Sequence, residues 1–436
     1  MIKIFLNSVR LPHRKNASEV RTKKIDTPKA VIISMSQGIG APCVPVVKVG
    51  DTVKTGQLIA DSDAFVCAPI YSSVTGTVVA ERDILGINGR VNKALVIESK
   101  NKQELSEEIS PPVIEDRDSF LKAVRKSGLV GLGGAGFPTH VKLGYDANKF
   151  KVDTLIINGA ECEPYLSTDN REIIENADDL INGIRLVMKM CGIPRAIIVV
   201  ERNKPEAIRL MKELIKKSED ITVKTLSSKY PQGAEKLLIY KTTGRIVGEG
   251  ELPLAVGCLI LNISSTAFLA RYAQNGIPLI SRRITVDGNI VNKPANLIVP
   301  IGTTLSEIME LIDLRLQPDR IILGGPMMGN SIYDSDTPIS KTTGGILFFK
   351  DAPDYRTQKM TACIRCGKCI RVCPMRLMPT ELEKAYDTSD VKRLEKLKIG
   401  SCMECGSCSF ICPAKRNLSE KHKLSKELLR KSKPIK

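Results

Sequence analysis

The feature that most constrains this chain is a pair of cysteine runs near its C-terminal end, CIRCGKCIRVCP and CMECGSCSFICP. They hold Cys363, Cys366, Cys369 and Cys373 in one run and Cys402, Cys405, Cys408 and Cys412 in the other. Each reads C-x-x-C-x-x-C-x-x-x-C-P. In that spacing three thiolates wrap one iron–sulfur cubane, while the fourth cysteine, set off by three residues and followed by proline, ligates the other cluster. The expected ligand sets are therefore crossed: Cys363, Cys366, Cys369 and Cys412 for one [4Fe–4S] cluster, Cys402, Cys405, Cys408 and Cys373 for a second. Structural zinc sites use cysteine pairs with a longer insert and do not need two interlocked runs. Between the runs, Leu382, Ala385 and Tyr386, then Val391, Leu394 and Leu397, recur at helical spacing around a Ser-Asp break. This predicts two short helices and an α-helical dicluster module. Cys43, Cys67, Cys162, Cys191 and Cys258 are scattered and read mostly as small core residues.

At 436 residues the chain is long enough for several domains, each with its own core. It has no run of about eighteen apolar residues, so no membrane span is expected. The N-terminal MIKIFLNSVRLPHRK lacks a small-residue cleavage site and predicts a cytoplasmic protein. Basic residues outnumber acidic ones 65 to 48, a net charge of +17, and nine Lys or Arg stand against two Glu between Lys415 and Lys436. A positive tail of this kind suits an acidic protein or an anionic lipid surface. With no interleaved aromatics there, and no Trp anywhere, nucleic acid is not the expected partner.

A second constraint is the glycine-rich run GLVGLGGAGFPTHVKL, Gly128 to Leu143, which follows a helical pattern in DSFLKAVRKS. Gly131, Gly133 and Gly136 match G-x-G-x-x-G, but the run follows a helix instead of a strand, so the ordinary dinucleotide fingerprint does not apply. What remains is backbone without Cβ atoms, able to approach a phosphate or a flat ring, with Lys142 as a nearby point charge. Downstream, VDTLIINGAECEPYLSTDNR reads as a strand ending at Asn158, followed by Glu161, Glu163 and Asp169. A helix over 172–191, a strand over 196–200, a helix over 205–217, a strand over 221–226, a helix over 232–243, a strand over 258–263 and a helix over 265–274 continue the alternation. Such alternation predicts a parallel, Rossmann-like sheet whose strand ends bind ligands. Tyr230, Gly233 and Glu235 in YPQGAEK, and Asn262 with Ser264 and Ser265 in NISST, are expected to line the same crevice.

On these residues the core resembles the flavin-and-NADH subunit of respiratory complex I, through GLGGAGFPTHVK and NGAECEP. The whole chain is more similar to the C subunit of the Rnf ferredoxin:NAD oxidoreductase complex, through those motifs together with GGPMMG (Gly324–Gly329), KTTGGIL (Lys341–Leu347) and both cysteine runs. The resemblance implies FMN over the loop, contacted by Gly131, Gly133, Gly134, Lys142, Asn158, Gly233 and Asn262, with Gly136, Tyr230 and Glu235 at the same site. It implies NAD(H) stacked on the flavin near Phe137, Glu161 and Glu163. Leu132 stands where the complex I subunit has arginine, and Ala160 where it has aspartate.

Residues 42–98 are similar to the barrel-sandwich hybrid of lipoyl and biotinyl carriers, but the tip DSDAFVCAPIYS carries no lysine for a cofactor arm. Residues from 278 to about 350 resemble a β-grasp module of the soluble-ligand-binding kind. The expected order is a barrel-sandwich hybrid with an N-terminal extension (1–115), a Rossmann-like FMN/NADH domain (116–276), a β-grasp domain (277–350), a two-[4Fe–4S] ferredoxin domain (351–418) and a basic tail (419–436). NADH yields two electrons together and a [4Fe–4S] centre takes one, so a flavin between them accounts for both motifs at once. The expected function is a peripheral subunit on the cytoplasmic face of the cell membrane. It passes electrons between NAD(H), FMN, two clusters and the other subunits of an ion-transporting complex, with ferredoxin an indirect partner. A flavin and iron–sulfur cobalamin reductase, in which the resemblance puts the barrel module after the clusters, and a non-catalytic iron–sulfur scaffold are the alternatives.

Overall fold

The computed structural model describes residues 7–86, 89–350 and 359–432. Its centre is a four-stranded parallel sheet in the order Ile221–Leu226, Ala196–Glu201, Thr154–Gly159, Cys258–Asn262. These strands are runs of β-branched and aliphatic residues, the composition expected where a sheet is covered on both faces. Ile157, Ile198 and Leu261 belong to the larger core beneath one layer of helices, and Ile156, Val199 and Ile260 to the smaller core on the other side. The helix expected over 172–191 is two helices, Thr168–Glu175 and Ala177–Cys191, because Asn176 leaves helical geometry at φ −134°. Helix Ala177–Cys191 crosses helix Ile263–Asn275 closely at Gly183, where a Cβ would stand 2.0 Å from the carbonyl oxygen of Thr266.

The N-terminal module has two small antiparallel sheets, Ala30–Ser34 with Val91–Ser99, Gly76–Leu85 and Thr52–Val53, and Val44–Pro45 with Leu58–Asp61 and Ile70–Tyr71. They enclose Val31, Ile33, Val53, Ile59, Ile70, Val78, Leu95 and Ile97. A fourth, mixed sheet of six strands carries the hairpin Ser281–Gly288 and Ala295–Pro300, with helix Leu305–Leu311 packed on it through Leu305 and Ile308. Its edge strand, Thr22–Lys24, comes from the far N-terminus and pairs in parallel with Ala295–Pro300.

The N-terminal extension therefore does not fold with the barrel. It laces across the molecule: Val9 exchanges backbone hydrogen bonds with Tyr230, each 2.9 Å, and Tyr165 N–H donates to His13 O. At the other end, the two helices expected between the cysteine runs are Pro379–Asp387 and Val391–Lys396. The basic tail is a correction. Leu418–Ser432 is a helix, whose buried Leu418, His422 and Ser425 face the cluster module, so a boundary at 418/419 falls at its first turn. Residues 433–436 of the expected tail lie outside the described residues, as do 351–358 at the expected start of the cluster module.

Gly183→Ala forces a methyl group into the carbonyl of Thr266. We expect a loss of about 1–3 kcal/mol, read as a lower thermal midpoint of the purified protein.

Candidate functional site

Helix Arg117–Lys126 begins at a capping box in which Asp116 accepts from Ser119 N–H at 2.8 Å. It ends at left-handed Gly128, and the glycine loop follows. The loop is closed at its base by Gly131 N–H to Phe137 O (2.8 Å) and Gly136 N–H to Gly131 O (3.2 Å). Gly136 is buried at φ +66°, its Cβ position 2.6 Å from Thr342. The crown differs: Gly133, Gly134 and Ala135 are exposed, and Gly134, at φ +105°, has nothing within 4 Å of where a Cβ would be. The loop is thus anchored at its ends and bare at its top. Lys142, on the short helix Thr139–Leu143, reaches across to Glu235 at 2.6 Å, the first residue of helix Glu235–Thr243.

Asn158, the penultimate residue of its strand, and Asn262, the last of the neighbouring one, are register partners. Asn158 Nδ2 donates to Gly233 O (2.9 Å), and its Oδ1 accepts from Ala160 N–H. Gly233 is confined as well, since a Cβ there would lie 2.6 Å from Ala160 O. Asn262 Oδ1 caps helix Ile263–Asn275 by accepting from Ser264 and Ser265 N–H, while Nδ2 donates to Asp169 Oδ2 at 2.8 Å. Ser265 Oγ in turn accepts from Leu132 N–H (2.9 Å), and the Cβ position of Gly133 lies 3.3 Å from Asn262 Nδ2. The glycine loop, both asparagines and the Tyr230–Glu235 segment therefore meet at the C-terminal edge of the parallel sheet.

The acids are turned inward. Glu161 Oε1 accepts from Asp169 N–H (2.8 Å) and the Thr168 hydroxyl (3.2 Å), and its Oε2 lies 3.8 Å from Lys15 Nζ. Glu163 accepts from Met327 N–H (3.0 Å), in the GGPMMG loop, and from the Tyr230 hydroxyl (3.4 Å). Burial raises the Glu163 carboxyl to about 7. Burial, reinforced by the charge of Glu161, raises Asp169 to about 7 also.

Two residues that the sequence did not single out complete the frame. Lys15 donates to the carbonyls of Glu161 (2.9 Å), Glu163 (2.8 Å) and Leu166, and burial lowers its ammonium below the ordinary range. Arg282, 4% exposed on strand Ser281–Gly288, donates to Leu132 O at 3.0 Å, directly under the loop. Neither had a local signal, because each acts on segments more than a hundred residues away.

The two cysteine runs have matching backbones. Left-handed residues recur at the same three places, Arg365 and Glu404, Gly367 and Gly406, Arg376 and Lys415. In each run the first cysteine sulfur accepts from the amide two residues on, Arg365 N–H to Cys363 and Glu404 N–H to Cys402, both 3.4 Å. Cys373, Cys402, Cys405 and Cys408 line one hollow. Burial pushes the Cys408 thiol up, followed by the charges of Cys402, Cys405 and Cys373; the cysteine charges acting on Cys369 are those of Cys412, Cys363 and Cys366. Four half-buried thiols around one hollow suit an iron core, which offsets the repulsion their thiolates would otherwise suffer. Among the described residues no three His, Cys, Asp or Glu converge as they would on a single metal ion.

The known proteins this chain resembles follow the same division. Residues 3–102 match the RnfC barrel-sandwich hybrid domain, 124–271 the Nuo51 FMN-binding domain, and 357–413 a 4Fe-4S dicluster domain. The chain is 43% identical over 360 residues to the C subunit of the proton-translocating ferredoxin:NAD(+) oxidoreductase complex of Clostridium ljungdahlii, spanning 81% of this chain and 78% of that one. It is 38% identical to the C subunit of the Na(+)-translocating complex of Acetobacterium woodii, spanning 87% and 86%. This chain belongs to the C-subunit family of ion-translocating ferredoxin:NAD(+) oxidoreductase (Rnf) complexes. It is an electron-transfer oxidoreductase subunit with a barrel-sandwich domain, an FMN-binding domain and a 4Fe-4S dicluster domain. Its fold is also shared with a chain of an NAD+-reducing [NiFe]-hydrogenase, at a TM-score of 0.51 and 17% identity, covering 74% of this chain and 64% of that one.

The raised Glu163 carboxyl carries a pH signature. The folded chain holds its proton more tightly than the unfolded chain, so this contribution to stability is complete below about pH 4.5 and is lost as pH rises through about 7. Thermal melts between pH 5 and 8 should show Glu163→Gln with a flatter decline than wild type. The missing component is at most about 3 kcal/mol.

Proposed function

We propose that this chain is the NAD(H)-facing peripheral subunit of its complex. In this reading FMN is seated over Gly131, Gly133 and Gly134, beside Lys142, Asn158, Gly233 and Asn262. NAD(H) enters on the Phe137 side. Two [4Fe–4S] clusters are held by the crossed cysteine sets. The module after the flavin domain is read as β-grasp. Bound FMN would take electrons from NADH in pairs and release them singly, as iron–sulfur clusters require. The protein supplies the seat: bare peptide for the flat ring, Lys142 for negative charge, and two asparagines fixed by the sheet. Glu161 and Glu163 hold the loops in place here through Lys15, Thr168 and Met327 instead of presenting free carboxylates.

One observation carries the order of electron flow. The second cysteine run is pressed against the GGPMMG loop, which in turn is tied to the flavin module: a Cβ at Gly406 would lie 2.9 Å from Met327 O, and Met327 N–H donates to Glu163, which also accepts from Tyr230. The first run is open, with Cys363 exposed and Ile364 65% exposed. The cluster on Cys402, Cys405, Cys408 and Cys373 is therefore the inner one, and that on Cys363, Cys366, Cys369 and Cys412 the outer one, facing a partner subunit. No helix among the described residues is long and apolar enough to cross a membrane, and Lys423, Arg430 and Lys431 lie exposed on the last helix. These features support peripheral attachment at the cytoplasmic face, next to acidic protein or lipid. The barrel module leads the chain, which favours this reading over a cobalamin reductase.

Lys142→Ala and Gly134→Val should each lower flavin content severalfold with cluster absorbance unchanged. Flavin equal to wild type, measured after heat release from matched preparations, would refute the seat. Cys405→Ser should remove one of two cluster signals from the electron paramagnetic resonance spectrum of the reduced protein. It should also slow reduction of the outer cluster by NADH; two intact signals would overturn the ligand sets.

A further inference from the structure

Outside this machinery, two cysteines of the barrel-sandwich module meet. Cys43 Sγ and Cys67 Sγ lie 3.3 Å apart, although 24 residues separate them in the chain. Their segments are tied side by side, since Ala41 N–H donates to Val66 O at 3.0 Å. Both side chains are buried, Cys43 at 7% and Cys67 at 2% exposure. They line a hollow together with Gln37, Val130, Pro138 and Lys341. Lys341 Nζ donates there to Pro69 O (2.6 Å) and Gly128 O (2.8 Å), an ammonium set between the module and the start of the glycine loop.

We propose that Cys43 and Cys67 are a covalent modification site, a dithiol that closes to a disulfide and clasps the barrel module behind the glycine loop. The mechanical connection is short. Cys43 N–H donates to Met35 O, closing the segment between them, and within that segment Ile39 N–H donates to Gly136 O at 2.9 Å. Gly38 packs against the same carbonyl, with its Cβ position only 2.4 Å from Gly136 O. Fixing Cys43 to Cys67 therefore fixes the segment on which the base of the loop rests.

The oxidant is a small organic disulfide. One cysteine loses its proton and attacks a sulfur of the reagent, which releases one small thiol and leaves a mixed disulfide. The second cysteine attacks that bond, the Cys43–Cys67 bond forms, and the second small thiol departs. Two protein thiols are oxidised, one reagent disulfide is reduced, and both protons go to the leaving groups. Burial and the neighbouring Cys67 push the Cys43 thiol up to about 12, so little of it is ionised and closure is slow.

The test uses the full-length holoprotein, prepared without oxygen and incubated with 2-hydroxyethyl disulfide. It is then quenched in acid, denatured, alkylated and digested. A linked pair of peptides containing Cys43 and Cys67 is expected, reversed by dithiothreitol and absent from Cys43→Ala and Cys67→Ala. The measurement on wild type stands even if a variant folds poorly. Recovery of both as free thiols, under conditions that oxidise the denatured chain, would overturn the proposal; so would linkage of Cys67 only to another cysteine. Hydrogen exchange reads the clasp itself: the Ile39 amide should exchange severalfold more slowly in the oxidised protein, and an unchanged rate would disprove the coupling. Neither readout depends on bound flavin.

Discussion

The largely buried ammonium group of Lys15 ties together the centre of this molecule. Lys15 Nζ gathers the carbonyls of Glu161, Glu163 and Leu166 and thereby sets the loop that leaves the strand ending at Gly159. From that loop two chains of contact diverge. One runs from Glu161 to Asp169 and Asn262, and so to the glycine loop; the other runs from Glu163 to Met327 and the second cysteine run. An isolated buried charge costs far more than it returns, and it persists only when its donors are satisfied and countercharges stand near. Here Glu161 at 3.8 Å and three carbonyls meet that condition. The flavin and cluster modules share a support that belongs to neither.

What the sequence made legible was whatever is written locally. The cysteine spacing, the alternation of strand and helix, and the glycine loop between Gly128 and Leu143 each depend on residues within about a dozen positions of one another. Asn158 and Asn262 were legible as strand ends, although only the register shows that they are partners. Lys15 and Arg282 were not legible, because nothing near either residue hints at its partners. The break at Asn176 was missed since the apolar period continues through it, while the local backbone does not.

The C-terminal helix shows a different failure. Its charge suggested a free arm, yet Leu418, His422 and Ser425 supply a buried face that is narrow and only partly apolar. His422 Nε2 lies 3.0 Å from Pro379 O, which ties this helix to the one between the runs. Lys421 is bonded to Asp387 and Glu383, so part of the positive charge is spent internally. The twofold likeness of the two cysteine runs is broken by their surroundings: one run sits under Met327, the other opens outward, and this gives the pair a direction that two equal sites alone would not have.

The lacing of the N-terminal extension has a consequence for biosynthesis. Thr22–Lys24 and Val9 leave the ribosome first, but their partners, Ala295–Pro300 and Tyr230, are made hundreds of residues later. Strand Thr22–Lys24 must therefore stay unpaired until well over half of the polypeptide exists. Long-range pairing of this kind is slow to form and leaves an adhesive border exposed in the meantime. Maturation of this protein should be governed by when its first strand is captured by partners made far later in the chain.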